Sequence, residues 1–150
     1  GITPELLVIE LTETELATEL TGAATELNRV RDLGVGVAID DFGTGYSSLS
    51  YLHTLPATAI KLDPDFIHGV LDDARRLAVI RSVVGLASEL GLSVVAEGIE
   101  QESVAALLGD LGVKLGQGYL YTRSLPLDEM LRAVVAGTWA SNPSGRTMGA

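Results

Sequence analysis

Five short, mainly apolar runs alternate along the chain with stretches whose apolar residues recur at helical spacing. The runs are Leu6-Leu7-Val8-Ile9, Val35-Gly36-Val37-Ala38-Ile39, Ala57-Thr58-Ala59-Ile60, Ser93-Val94-Val95-Ala96 and Val113-Lys114-Leu115-Gly116. Near-continuous rather than alternating hydrophobicity predicts strands buried on both faces, as in a parallel sheet covered by helices. Between them, residues 21–33 carry Ala24, Leu27 and Val30 on one stripe, and residues 74–90 carry Leu77, Ile80, Val83, Val84 and Ala87. Residues 101–111 repeat the pattern with Val104, Leu107, Leu108 and Leu111, and residues 127–136 with Leu127, Met130, Leu131 and Val134. Gly34, Gly91, Gly112 and Gly137 follow these stretches as stop signals. Helices so placed are expected to bury their stripes on the outer side of the sheet. The order is strand, helix, strand, short helix, strand, helix, strand, helix, strand, helix. It suits a TIM-type (β/α) barrel, but a whole barrel takes roughly 250 residues. The expectation is an α/β barrel that is incomplete in this chain, with about five β/α units.

The runs share a second property: each ends in a polar, chemically useful residue. Glu10 follows the first, Asp40-Asp41 the second, Lys61 the third, Glu97 the fourth and Gln117 the fifth. The carboxyl ends of the strands are where such folds keep their chemistry. Any one of these residues alone reads about equally well as a strand-end ion pair or a turn residue. Together they predict one site. Adjacent carboxylates such as Asp40 and Asp41 cannot point the same way from a regular strand, but where the backbone turns both can reach a shared pair of cations. Lys61 in that company can donate to water or phosphate, or accept a proton if its pKa is lowered. Asp63, two residues on, could simply pair with Lys61. Glu13 reads as a helix-start or loop-anchoring residue, Glu100 as a helix-start carboxylate, and Ser47 as a cap for the short helix. His53 and His68 lack metal-ligand spacing.

Composition narrows the class. The 150 residues, 47% hydrophobic, suffice for one domain with a core, and no uninterrupted apolar run is long enough to insert in a membrane. Cysteine is absent, which excludes disulfides and thiolate metal sites and fits a cytoplasmic setting. A net charge of −10 disfavours binding to a DNA or RNA polymer. An anionic small molecule could still approach once divalent cations screen the carboxylates. The chain starts at Gly1 without a Met and is read as part of a longer one. Residues 138–150, rich in Gly, Ser, Asn and Pro, are expected to form a disordered tail, Trp139 excepted, after a domain portion spanning residues 1–137.

The densest stretch, Asp40-Asp41-Phe42-Gly43-Thr44-Gly45-Tyr46-Ser47-Ser48-Leu49, joins four other segments in the same order: Glu10-Leu11-Thr12-Glu13, Ile60-Lys61-Leu62-Asp63, Val95-Ala96-Glu97-Gly98-Ile99-Glu100 and Gln117-Gly118-Tyr119-Leu120. In sequence and spacing these resemble the EAL family of cyclic di-GMP phosphodiesterases, over roughly residues 2–135. The resemblance implies hydrolysis of one phosphodiester of cyclic di-GMP to linear pGpG, with a pair of Mg²⁺ or Mn²⁺ ions. It implies Glu10, Asp40, Asp41 and Glu97 as metal ligands and Lys61, with Glu97, as catalytic residues. Gln117 would contact the water network or substrate, and Glu13 would anchor the loop after Phe42. It also implies a homodimer within a longer signalling protein.

The chain departs from the family pattern as well. No Glu-Ala-Leu tripeptide occurs in it, and Ala96-Glu97-Gly98 belongs to a later strand. The family's metal-binding Asn and substrate-contacting Arg, both upstream, have no counterpart. Only the carboxyl-terminal three-fifths or so of the barrel is matched. The fragment alone is therefore expected to be weak or inactive. The alternative is a degenerate EAL module that binds nucleotide or protein without hydrolysis.

Overall fold

The computed structural model describes residues 1–13, 15, 20–43 and 52–137. The expected tail at 138–150, with Trp139, and the expected cap at Ser47 lie outside the described residues. A 3-10 turn, Pro4–Leu6, leads into β1, Val8–Thr12. There follow α1, Leu20–Asp32; β2, Gly36–Phe42; β3, Ala59–Leu62; α2, Pro64–Ile67; and α3, Ala74–Glu89. The chain ends with β4, Ser93–Ala96; α4, Glu102–Asp110; β5, Leu115–Gly116; and α5, Leu127–Val135. The four long helices begin and end within one residue of their hydrophobic periods. The strands form one sheet in sequential order, β1-β2-β3-β4-β5, every pair parallel. Sequential parallel order is the strand order of a (β/α) barrel, and here it makes an arc of five strands.

Register sorts the side chains between two faces, because partners in a parallel pair point to the same side. Ile39 pairs with Ile60, Ile60 with Val94, and Leu62 with Ala96. This face carries the core, where Ile39, Ile60, Leu62, Ile80 and Leu108 are all but fully buried. Burying such side chains stabilises by roughly 1.5–3 kcal/mol each. Asp73 starts α3 by accepting from the amides of Arg75 and Arg76 at 2.9 and 3.1 Å.

The opposite face is not uniformly buried, contrary to the two-sided burial that the apolar runs suggest. Val8 is 57% exposed and Leu115 52%. Five strands curve without closing, so this side lacks the facing strands that a complete barrel would set against it. The stripe of α5 is likewise uncovered, with Leu127, Leu131 and Val134 all at least half exposed. Three strands also sit later than expected, β2 among them, which runs on to Phe42 and so holds Asp40 and Asp41 inside it. Pro4 starts a turn that takes up Leu6, so β1 runs two residues further and holds Glu10 inside it. β3 likewise extends past Ile60, placing Lys61 within the strand. β5 is only two residues long, Val113 having entered the core before it begins. Asp63 does not pair with Lys61. It caps α2, accepting from the Asp65 amide at 2.7 Å.

Candidate active site

The face opposite the core carries the polar residues. Glu10 pairs in register with Ala38, Ala38 with Ala59, Ala59 with Ser93 and Val95 with Leu115. Two residues further on along β2 and β3 come Asp40 and Lys61, just past β4 comes Glu97, and beyond β5 comes Gln117. Asp40 and Lys61 therefore project to the same side, toward the carboxyl ends of the strands, and Glu97 meets them there.

Four of the residues meet. The Lys61 Nζ lies 2.8 Å from Glu10 Oε2, 2.9 Å from Asp40 Oδ1 and 2.7 Å from Glu97 Oε1. Three carboxylates from three strands thus close on one ammonium, whose residue is 7% exposed. Exposure of the carboxylate side chains rises from 15% at Glu97 to 23% at Asp40 and 48% at Glu10. The cluster is therefore walled by β3 and β4 and open toward β1. Lys61 donates a hydrogen bond to Glu10. Glu97 Oε1 is buried and is held by the charge of the same ammonium. Desolvation draws the Lys61 pKa down, but the Glu10, Glu97 and Asp40 carboxylates outweigh it and hold the pKa well above its ordinary value. In this arrangement Lys61 is a donor, not a proton acceptor.

Asp40 and Asp41 owe their placement to an irregularity. The pairing of β2 with β3 is regular to Ile39–Ile60 and resumes at Phe42–Leu62, so Asp40 and Asp41 together stand opposite Lys61 alone. Asp41 takes up the extra residue with φ 52°, a left-handed conformation that costs an L-residue about 1–2 kcal/mol and that Asp tolerates better than most. The Asp41 amide donates to Asp40 Oδ1 at 3.1 Å. Burial raises the Asp41 pKa, and the negative charges of Asp40 and Asp63 add to this while Lys61 opposes it.

Glu13 plays a different part. It is 2% exposed, and its Oε2 accepts from the Gly43 amide at 3.0 Å, tying the end of β1 to the loop that leaves β2. Phe66 of α2 packs on Gly43 so closely that a Cβ there would stand 2.6 Å from the ring. Gln117 donates its amide to the Ala96 carbonyl at 2.8 Å and keeps its side chain exposed. Glu100 is exposed, and the helix after it starts at Gln101 without a side-chain cap. Phe66 was not indicated by the chemistry of the motifs. The signal available was Pro64 directly after Asp63, a capped helix start.

The chain matches the EAL domain model over residues 1–124. It belongs to the EAL domain family. Among relatives, it is 42% identical over 136 residues to the cyclic di-GMP phosphodiesterase NbdA of Pseudomonas aeruginosa, covering 89% of this chain and 17% of that protein. Among solved structures, it is similar to the PaMucR phosphodiesterase in complex with c-di-GMP (TM-score 0.81, 38% identity, 86% of this chain and 52% of that one). It is also similar to Klebsiella pneumoniae BlrP1 in a manganese/cyclic di-GMP complex (TM-score 0.76, 37% identity, 82% of this chain and 31% of that one). The EAL chain spans about a fifth of the length of the curated relatives it matches.

The donor set fits a hard divalent cation in kind: carboxylate oxygens only, one of them buried. In number it falls short. Among the described residues, no three His, Asp or Glu side chains are placed to hold one metal ion between them. No described helix is long and apolar enough to cross a membrane.

Proposed function

We propose that this chain is the carboxyl-terminal portion, residues 1–137, of a phosphodiesterase domain that opens one phosphodiester of cyclic di-GMP to give linear pGpG. The observation that carries this reading is the convergence of Glu10, Asp40 and Glu97 on Lys61 at 2.7–2.9 Å, on the open side of an EAL-family sheet. Glu10, Asp40, Asp41 and Glu97 are the residues that would hold Mg²⁺ or Mn²⁺. Such ions, when bound, neutralise phosphate charge and acidify water. The solved relative with manganese and cyclic di-GMP supports that choice of ion and substrate. Lys61, a protonated donor at the centre of the cluster, orients the attacking water or a phosphate oxygen. Gln117 shares that face and reaches substrate or its water. Glu13 holds the loop after Phe42 in register with the site.

The cage needs ligands beyond those in this chain, and upstream strands of the barrel are the source the family provides. On its own the chain should show little or no turnover. The proposal extends to a cytoplasmic homodimer within a longer signalling protein, in keeping with the greater length of the curated relatives.

The test is chromatographic detection of pGpG from cyclic di-GMP, with Mg²⁺, Mn²⁺ or chelator. The chain alone should stay at background. A chimera carrying the upstream strands of NbdA joined at Gly1 should turn over with either ion and lose activity in chelator. Full activity in chelator, or none in a folded chimera that binds substrate, refutes the reading. The second result would instead favour a module that binds without hydrolysis.

A further inference from the structure

Two glycines close behind site residues lie against one short element. Gly43, two residues after Asp41, is packed by the Phe66 ring. Gly98, next to Glu97, is packed by Pro64: a Cβ placed at Gly98 would stand 2.7 Å from that of the proline. Pro64 and Phe66 both belong to α2, which starts three residues after Lys61. One helical turn therefore touches the backbone behind Asp40-Asp41 and the backbone behind Glu97, and it continues from the strand that presents Lys61. The turn is itself fixed. Ile67 is 1% exposed in the core, and the Phe66 and His68 amides donate to the Asp63 and Pro64 carbonyls at 3.0 and 2.8 Å.

We infer that α2 is the spacer of the site, with Phe66 and Pro64 as positioning residues that set how closely the Asp40 and Glu97 carboxylates approach Lys61 Nζ. This rests on the reading of the cluster as part of a phosphodiesterase site, and it concerns the geometry of the cluster in the absence of metal and nucleotide. Charged groups that meet across three strands at 2.7–2.9 Å need backbones held to within about 0.5 Å. The ladder alone does not hold them so. It is interrupted at Asp40-Asp41, and β4 ends at Ala96, one residue before Glu97. Phe66 and Pro64 support the chain just beyond each of these places. They rest on glycine, where no side chain can give way, so a shift of either ring passes directly to the backbone.

A ring that merely fills space behaves differently. Its removal lowers stability but leaves the native cluster as it was. Removal of a spacer loosens the cluster while the protein is still folded.

The experiment is nuclear magnetic resonance on the full chain without metal or nucleotide. The sequence holds two lysines, Lys61 and the exposed Lys114, so the side-chain ammonium spectrum carries its own reference. Hydrogen exchange is read at the Lys61 ammonium and at the Glu97 amide, which donates to the Leu62 carbonyl at 3.2 Å, alongside melting temperature. Phe66→Ala should speed exchange at the Lys61 ammonium about tenfold, and Phe66→Leu by no more than about threefold. Pro64→Gly should speed it about tenfold at both positions, whereas Pro64→Ala, which keeps the Cβ that meets Gly98, should stay within about threefold. Leu108→Val, buried on α4, is the reference for lost stability alone and should leave both rates within about twofold of wild type. If Phe66→Ala and Pro64→Gly melt lower but exchange like Leu108→Val, the rings are filling and the inference is overturned. Should Phe66→Ala fail to fold, the Pro64 pair decides: equal rates in Pro64→Gly and Pro64→Ala overturn it as well. A wild-type Lys61 ammonium that exchanges as fast as that of Lys114 removes the cluster, and with it the observation behind the proposed function. A slow Lys61 ammonium that no variant disturbs removes the spacer alone.

Discussion

Gly118 gives the sharpest test of how the site is held, because the backbone there leaves no room for a side chain. It follows Gln117 directly and has φ 155°. A Cβ at this position would overlap the backbone nitrogen and oxygen of Ile99 and stand 2.7 Å from its carbonyl carbon. Ile99 is fully buried and cannot swing aside. Its amide donates to the Gln117 carbonyl at 3.1 Å and its carbonyl accepts from the Leu120 amide at 2.9 Å. Gly118→Ala must break these two bonds or strain the backbone between them. Each net bond contributes about 0.5–1.5 kcal/mol, and the backbone conformation costs an alanine about 1–3 kcal/mol more. The expected loss is about 3–4 kcal/mol in urea unfolding followed by circular dichroism, or roughly 10 °C in melting temperature. Gly69→Ala is the control, since φ there is 74° but nothing lies within 4 Å of the added Cβ. It should cost only the backbone part, about 1–2 kcal/mol. If the two variants lose equal stability, the close approach to Ile99 carries no energy and the reasoning is wrong.

Two further predictions concern the edges of the site. Glu13→Ala removes the acceptor of the Gly43 amide and should cost about 1–3 kcal/mol, with faster hydrogen exchange at Gly43; Glu13→Gln, whose carbonyl can accept the same bond, should recover most of it. Wild-type exchange at Gly43 in the alanine variant would remove Glu13 as the anchor. Asp41, with a folded pKa raised above its unfolded value, binds its proton more tightly when folded, so stability is lost as pH rises from the unfolded pKa through the folded one. Asp41→Asn should therefore melt higher than wild type at pH 7 in chelator, with the gain shrinking as pH falls and vanishing below about pH 3, where both states are protonated. A lower melting temperature at pH 7 would show that the Asp41 charge is stabilising instead.

The four long helices were legible in the sequence because each has both a stripe and a punctuating glycine, as residues 74–90 with Gly91 show. Strand ends were less so. A run such as Leu6-Leu7-Val8-Ile9 contains no signal that its first residue belongs to a turn, except Pro4, which acts from two positions upstream. That two-residue error is small on paper but changes the role of Glu10, which projects from inside β1 rather than from its tip. The meeting of Glu10, Asp40 and Glu97 at Lys61 was legible only as a shared strand face. Apolar periodicity cannot show which long side chains will reach across 51 residues of sequence to the same nitrogen. The bulge at Asp40-Asp41 was legible in principle, since two adjacent carboxylates on a strand can share a face only if the ladder slips. Close approaches of the kind Gly118 makes to Ile99 were not, because they depend on tertiary contact between two loops that no local pattern encodes.

The energetics divide between the two faces of the sheet. On the helix side, Ile39, Ile60, Leu62 and Ala96 bury apolar surface that stabilises the fold without regard to chemistry. On the other side, the same strands place Asp40, Lys61 and Glu97 one residue away from those core positions, so the core fixes their backbone to within the tolerance of packed side chains. The charged cluster holds unfavourable terms beside the Lys61 ion pairs: it gathers more negative than positive charge, raises the pKa of Asp41 and holds Asp41 in a left-handed conformation. Such a concentration of unfavourable terms persists only where the surrounding structure over-determines it. Here the determinants are identifiable: the resumed ladder at Phe42–Leu62, the Glu13–Gly43 tie and the Ile99–Gly118 contact fix the backbone next to the cluster residues in sequence. Glu10, by contrast, is half exposed on β1, the edge strand at which the five-stranded arc stops. The side least constrained by this chain is therefore the side from which the remaining ligands of a complete site would have to come.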